Sequence, residues 1–171
     1  MCWPLEELDL SWNDLTDAAA GPLLAALSRR AGLRRLNVTE CNLGRAAFTP
    51  LVEGAWTALT HLHACAGEWL REDPNALGAA AFAGFPALQE LDLRCVRLDG
   101  GGAQLLASRR WLRLKKLALP YGRLDDAGVA ELGRGEWPAL ERLELRYNRR
   151  VAPLALEDVR RWAPAMVEIL Q

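Results

Sequence analysis

Residues 5–15 read LEELDLSWNDL, and the same pattern returns as LRRLNVTECNL (33–43), LQELDLRCVRL (88–98) and LERLELRYN (140–148). Leu5, Leu8, Leu10 and Leu15 define a frame LxxLxLxxxxL, in which the alternation through Leu8 and Leu10 has the two-residue period of a β-strand. Laying the whole chain on this frame adds Leu33/Leu36/Val38/Leu43, Leu59/Leu62/Ala64/Trp69, Leu88/Leu91/Leu93/Leu98, Leu114/Leu117/Leu119/Leu124 and Leu140/Leu143/Leu145, with Arg150 in the last slot. The copies start at Leu5, Leu33, Leu59, Leu88, Leu114 and Leu140, in steps of 28, 26, 29, 26 and 26 residues. One more step of 26 lands on Met166, where PAMVEIL (164–170) answers PALERLEL (138–145), so a partial seventh repeat is expected there. Chains with a period of 20 to 50 residues are repeat arrays, and the repeat has to be found before any local structure is assigned.

Between the frames the period changes to that of a helix. Ala20, Leu23, Leu24 and Leu27, and then Phe48, Leu51, Val52 and Ala55, fall at i, i+3, i+4 and i+7, the spacing of one apolar helix face. Thr16-Asp17 and Asp125-Asp126 are suited to cap helix starts, and Pro22 stands early in its helix. Trp56, Phe85, Trp111 and Trp137 each precede the next frame by three residues, which suits a core plug between helix and strand. One strand and one helix cannot bury their apolar faces alone, whereas stacked copies can. Repeated strand–helix–strand steps in one sense require a parallel sheet with right-handed crossovers. The expected fold is therefore α/β: a right-handed solenoid spanning 1–171 as a single domain, bent into a horseshoe arc with strands on the concave face and helices on the convex face.

These frames resemble leucine-rich repeats, whose pattern is LxxLxLxxN/CxL, and the resemblance covers nearly the whole chain. The helical connectors are similar to those of the ribonuclease-inhibitor-like class, and the 26-residue steps with Cys41 in the Asn/Cys slot resemble the cysteine-containing repeats of F-box substrate receptors. The resemblance implies a non-catalytic module that binds another protein through the concave face and adjacent loops. The alternative that it implies is a substrate-recognition fragment of an F-box-type ubiquitin-ligase receptor, although no F-box segment fits before Leu5. The Asn/Cys slot holds Asn13, Cys41 and Asn148 but Gly67, Val96 and Gly122 elsewhere, so the side-chain ladder of the turns is expected to break in the middle. The third copy is the most degenerate, and a loop or distorted turn is expected around REDPNAL (71–77). Neither end carries a polar cap; a longer array, end-to-end self-association, or a makeshift cap made by residues 156–170 would each answer that.

Composition narrows the function classes. The 171 residues are 51% apolar and 25% charged with a formal net charge of −1, which argues against disorder and against binding driven by bulk charge. Four dispersed cysteines without a CxxC pair indicate neither a disulfide framework nor a zinc module. The start MCWPLEELDL is not a signal sequence and no apolar run of membrane-spanning length exists, so a cytoplasmic location is expected, with nuclear or cytoskeletal roles open.

Residues between the framework leucines should face the open side of the sheet, with equal positions stacked about 4.8 Å apart. This gives columns Glu7, Arg35, His61, Glu90, Lys116, Arg142; then Asp9, Asn37, His63, Asp92, Ala118, Glu144; then Ser11, Thr39, Cys65, Arg94, Pro120, Arg146; and outermost Trp12, Glu40, Ala66, Cys95, Tyr121, Tyr147. Charges of both signs interleave, so no one-signed track for nucleic acid results. Large amphipathic side chains at the rim are typical of protein interfaces, and the candidate partner-binding residues are Trp12, Arg35, His61, His63, Glu90, Asp92, Arg94, Tyr121, Arg146 and Tyr147.

His61, His63 and Cys65 share one face of a strand, yet their Cα atoms stand about 6.6 Å apart per step, and a tetrahedral metal site would also need a fourth ligand, for which Glu90 and Asp92 are the candidates. A Cys65–His63–Asp92 nucleophile lacks an oxyanion hole, and Gly100-Gly101-Gly102 matches no phosphate-binding pattern. No catalytic residue, cofactor or metal is expected. The two histidines are expected to make partner binding sensitive to pH between 6 and 7.

Overall fold

The computed structural model describes residues 5–66, 81–96, 98–162 and 168–170. Strands and helices follow one another as β1 (Glu7–Asp9), α1 (Asp17–Leu27), β2 (Arg35–Leu43), α2 (Arg45–Glu53), β3 (His61–Ala66), β4 (Glu90–Asp92), α3 (Gly100–Ala107), β5 (Lys116–Ala118), α4 (Asp126–Leu132), β6 (Arg142–Glu144), α5 (Pro153–Trp162) and β7 (Glu168–Leu170). The seven strands form one parallel sheet in sequence order. The loop expected at 71–77 and the frame slots of Gly67 and Trp69 lie outside the described residues. Of residues 156–170, those described are the end of α5, which runs to Trp162, and β7, which pairs with β6 as a further strand.

The register holds from strand to strand. Leu8, Leu36, Leu62, Leu91, Leu117, Leu143 and Ile169 are partners in turn, so one row of aliphatic residues crosses the sheet. Leu36, Leu62, Leu91, Leu117 and Leu143 belong to the same buried cluster as Leu24 of α1, Leu51 of α2, Leu106 of α3, Leu132 of α4 and Val159 of α5. Each leucine fully buried contributes about 1.5–3 kcal/mol relative to exposure. In α1 the buried face is Ala20, Gly21, Leu24 and Leu27, while Leu23, expected inside, is 38% exposed. α1 packs on α2 most closely at Gly21, where a Cβ would stand 3.1 Å from the Ala46 carbonyl oxygen, so the inner face is centred on Gly21 and Leu24, and Leu23 falls at its margin.

The aromatic plugs also bond the helix ends. The indole Nε1–H of Trp56 donates to the Leu51 carbonyl (2.7 Å), that of Trp111 to Leu106 (2.9 Å) and that of Trp137 to Leu132 (2.9 Å). Each acceptor lies in the last turn of α2, α3 or α4, where carbonyls have no partner within the helix. The rings also stack across repeats, Trp56 on Phe85 at 6.5 Å and Trp111 on Trp137 at 6.4 Å between centroids.

Capping runs partly between repeats. Asp99 and Asp125 accept from backbone N–H groups of their own helices, at Gly101 and Gly102 and at Gly128. Thr16 makes no side-chain cap, and its neighbour Asp17 instead accepts from the N–H groups of Ala46 and Ala47 at the start of α2. Asp126 likewise accepts from Ala152, just before α5.

Of the slots where the turn ladder was expected to break, the one at Gly122 is bridged from the next copy. Asn148 donates to the carbonyls of Leu145 and Leu119 (both 2.8 Å) and accepts from the Leu124 N–H (3.2 Å), so it serves its own turn and the preceding one. It occupies the space that a side chain at position 122 would take, since a Cβ on Gly122 would lie 2.7 Å from Asn148 Oδ1. Cys41 plays a lesser form of the same part, its thiol donating to the Leu10 carbonyl at 2.9 Å.

Two substitutions separate these bonds from simple apolar burial. Trp111→Phe keeps most of the apolar ring but leaves the Leu106 carbonyl without its donor, and urea unfolding should show a loss of about 1–3 kcal/mol. Asn148→Ala strips partners from two turns at once and should cost about 2–4 kcal/mol, in the upper range for a buried polar network.

Candidate functional site

The open face of the sheet is built by the residues between the leucines. The register aligns Glu7, Arg35, His61, Glu90, Lys116 and Arg142 in one row and Asp9, Asn37, His63, Asp92, Ala118 and Glu144 in the next. Opposite charges meet across strands. Arg35 lies 3.4 Å from Glu7, and Glu90 receives both His63 Nε2 (3.0 Å) and Lys116 Nζ (2.7 Å). The exposed Arg35–Glu7 pair is worth about 0–1 kcal/mol and does more to order the surface than to stabilise the fold. Burial raises the Glu90 carboxyl, but the bonds from Lys116 and His63 outweigh it and hold the group below its ordinary range.

Between β1, β2 and β3 lies a depression of about 330 Å³ lined by Glu7, Asp9, Arg35, Asn37, His61 and His63 together with Leu8 and Leu36. It brings Arg35, His61 and His63 together, with Glu90 at its edge through the bond to His63. His61 Nδ1 stands 2.9 Å from the Thr60 hydroxyl, and desolvation lowers its basicity.

Asp92 is not on this surface. It is 1% exposed, because its carboxylate accepts from the Arg94 backbone N–H (3.1 Å) and from Arg94 Nη2 (2.5 Å), and the arginine covers it. Asp9 accepts the same backbone bond from Ser11, and Asn37 from Thr39. The Asp and Asn residues of this row therefore close the turns that follow their strands, an Asx-turn role. Arg94 remains at the surface, with Asp92 raising its basicity.

Cys65 is also displaced from the expected outward face, at 8% exposure. Its thiol hydrogen-bonds Cys95, and burial pushes it up to about 12. His63 is committed to Glu90 and Asp92 to Arg94, so the three do not form a nucleophilic chain. Sequence reasoning missed the neighbourhood that Cys65 does enter, with Glu40 and Cys95. The available signal was that Cys65 and Cys95 hold adjacent frame slots on adjacent copies.

The second group of candidates lies at the turns after the strands. Trp12, Glu40, Cys95, Tyr121 and Tyr147 all have φ between 53° and 61°, the left-handed region, at the same frame position. Glycine or asparagine occupies this region most readily, and a bulky residue there costs about 1–2 kcal/mol. Tyr121 and Tyr147 stack at 4.3 Å with 13° between ring planes, yet remain 56% and 57% exposed. Arg146 lies between them in sequence and pairs with Glu144 at 3.2 Å. Trp12 is 80% exposed, but its turn is four strands from that of Tyr121, about 19 Å at the ordinary strand spacing, so it is not part of the tyrosine patch.

His61 gives a direction for pH. Its folded-state basicity is lowered, so below pH about 6.5 the unfolded chain binds the proton more readily. The stability that it contributes is present above that pH and is lost as pH falls. Chemical denaturation at pH 8 and pH 5.5 should show a decline on acidification that His61→Gln makes shallower.

No helix among the described residues is long and apolar enough to cross a membrane. No curated protein matches the chain. Residues 4–24, which run from β1 into α1, match the family model of the leucine-rich repeat. One strand–turn–helix unit of the chain is thus a leucine-rich repeat by direct match, and it supports placing the chain among leucine-rich-repeat proteins and among protein-interaction modules.

Proposed function

We propose that the chain is a non-catalytic recognition module of the ribonuclease-inhibitor-like type, a right-handed horseshoe that binds another protein through its concave face and the turns beside it. The observation that carries this reading is the tyrosine pair. Two large side chains are held in a backbone conformation that disfavours them, stacked on each other, and more than half exposed. Neither ring belongs to the buried core, so fold stability does not account for them. The bend itself recurs at Trp12, Glu40 and Cys95 and belongs to the repeat; what sets this pair of turns apart is that both are filled by large, exposed rings that stack on each other.

Stacking also prepares the patch. Each tyrosine has few rotatable bonds, and the partner ring removes part of their freedom before any ligand arrives, so less ordering entropy opposes association. Arg146 adds a donor beside the rings, and the depression bearing Arg35, His61, His63 and Glu90 adds a polar region farther along the face. This makes the partner surface apolar or aromatic opposite the tyrosines and mixed in charge opposite the histidines. A cytoplasmic site of action suits the free thiols of Cys41, Cys65 and Cys95. No feature of the described residues favours the F-box receptor reading over this one.

The test is affinity capture from cell extract followed by quantitative binding of the recovered partner. Tyr121→Ala and Tyr147→Ala should each weaken that binding by about 10-fold or more, as truncation of an aromatic hot spot does. Tyr147→Asn should lose binding to a similar degree while its melting temperature stays equal to or above that of the parent, because asparagine is easier to place at φ 61°. Unchanged affinity in all three variants refutes the patch.

A further inference from the structure

Cys65 ends in a neighbourhood that the repeat frame alone does not describe. It lies in β3, Cys95 lies in the turn after β4, and the third member comes from β2. The β2–β3 register shifts between Val38 and Leu43, an irregularity of the bulge kind that re-aims a side chain. Within it Glu40 has φ 53° and Cys95 has φ 59° at the equivalent turn. Three successive strands thus deliver one carboxylate and two thiols to a single point, with the ligand atoms all within 4.8 Å of one another.

We propose that Cys65, Cys95 and Glu40 form a binding site for a thiophilic divalent metal ion, zinc being the natural occupant, with solvent in the fourth position. An ion at the centre of a triangle with edges of 4.8 Å would stand at most about 2.8 Å from each atom, against ordinary lengths of about 2.3 Å to sulfur and about 2.0–2.2 Å to oxygen. A rotamer-scale contraction closes that gap without moving the sheet. Two thiolates select a soft or borderline ion over calcium or magnesium, and the carboxylate is a common third ligand.

The surroundings suit a metal thiolate. The Glu40 backbone N–H bonds the Cys65 sulfur, the kind of outer contact that orients a sulfur ligand, and Arg94 lies close enough to Cys95 for their charges to interact. Without an ion, burial and then the neighbouring Cys95 and Glu40 raise the Cys65 thiol to about 12, so it stays protonated and unreactive. A dication reverses the repulsive part of that balance and deprotonates the thiols that bind it. Protons compete with the ion for the sulfur ligands, so uptake should weaken on acidification.

The experiment uses the full chain, reduced and stripped of metal, with cobalt as the optical probe and competition against a chromophoric chelator for zinc. One ion per chain is expected, with the intense visible bands of tetrahedral cobalt and a thiolate-to-cobalt charge-transfer band. Cys95→Ser should lower zinc affinity by more than about 100-fold and Glu40→Gln by about 10-fold, since even outer-sphere partners of metal ligands give losses of this order. Cys2→Ser, which removes another thiol and leaves the 39–42 turn as it is, should leave both spectrum and affinity unchanged. Circular dichroism melts of each variant separate loss of the site from loss of fold. No uptake by the parent chain, a cobalt spectrum without the thiolate band, or equal affinity in a folded Cys95→Ser overturns the proposal.

Discussion

The in-register parallel pairing of seven short strands is the constraint from which the rest follows. Each strand contributes only three to nine residues, too few to persist alone, and holds its place because both its backbone and its central aliphatic residue are matched by the strands beside it. That pairing directs the leucines toward the helices and leaves the residues between them on the other face. The helices in turn supply the second wall of the core, and the indoles at their ends tie their last carbonyls to the plug between layers. A slip of one residue in any strand would exchange its buried and open faces, so the apolar frame fixes the surface as firmly as it fixes the core.

Within that scaffold the turn after each strand is where the chain departs from the least costly choice. The backbone there turns through the left-handed region at Trp12, Glu40, Cys95, Tyr121 and Tyr147, so the chain fills those positions with tryptophan, glutamate, cysteine and tyrosine. The buried leucines vary little between copies, whereas this position varies in size, charge and chemistry. The same bend that strains the tyrosines brings Glu40 and Cys95 over Cys65, so one backbone device serves an aromatic patch at one end of the sheet and a thiol cluster near its middle.

The repeat frame made the sheet legible because it is a one-dimensional pattern with a one-dimensional consequence: a fixed step and a period of two determine which residues are neighbours. The rows through Glu7 and Asp9 could be written from the spacing alone. What the frame could not supply was the direction of side chains at the turns. Asp92 has the same spacing as His63, but a short carboxylate two residues before a backbone N–H folds back to close the turn while an imidazole extends to Glu90. Glu40 was in the right row, but the irregularity that brings its carboxylate near Cys65 and Cys95 lies in TECN (39–42), whose geometry no apolar pattern encodes. Asp17 looked like a cap for its own helix and proved to cap the next, because the separation of adjacent helices, and not the sequence beside it, decides which N–H groups lie within reach.

Asp17 and Asp126 give the array a direction. In both cases the carboxylate belongs to the earlier copy and the helix start to the later one, so a repeat that has already formed lowers the nucleation cost of the helix made after it. A chain emerging from the ribosome amino end first would meet these two caps in the useful order, whereas α3 and α4 start on caps of their own, Asp99 and Asp125. Folding in the opposite sense would lack that help at these two junctions but would gain the bonds that Asn148 gives back to the turn before it, so the support between copies runs one way at the helix starts and the other way at the turns.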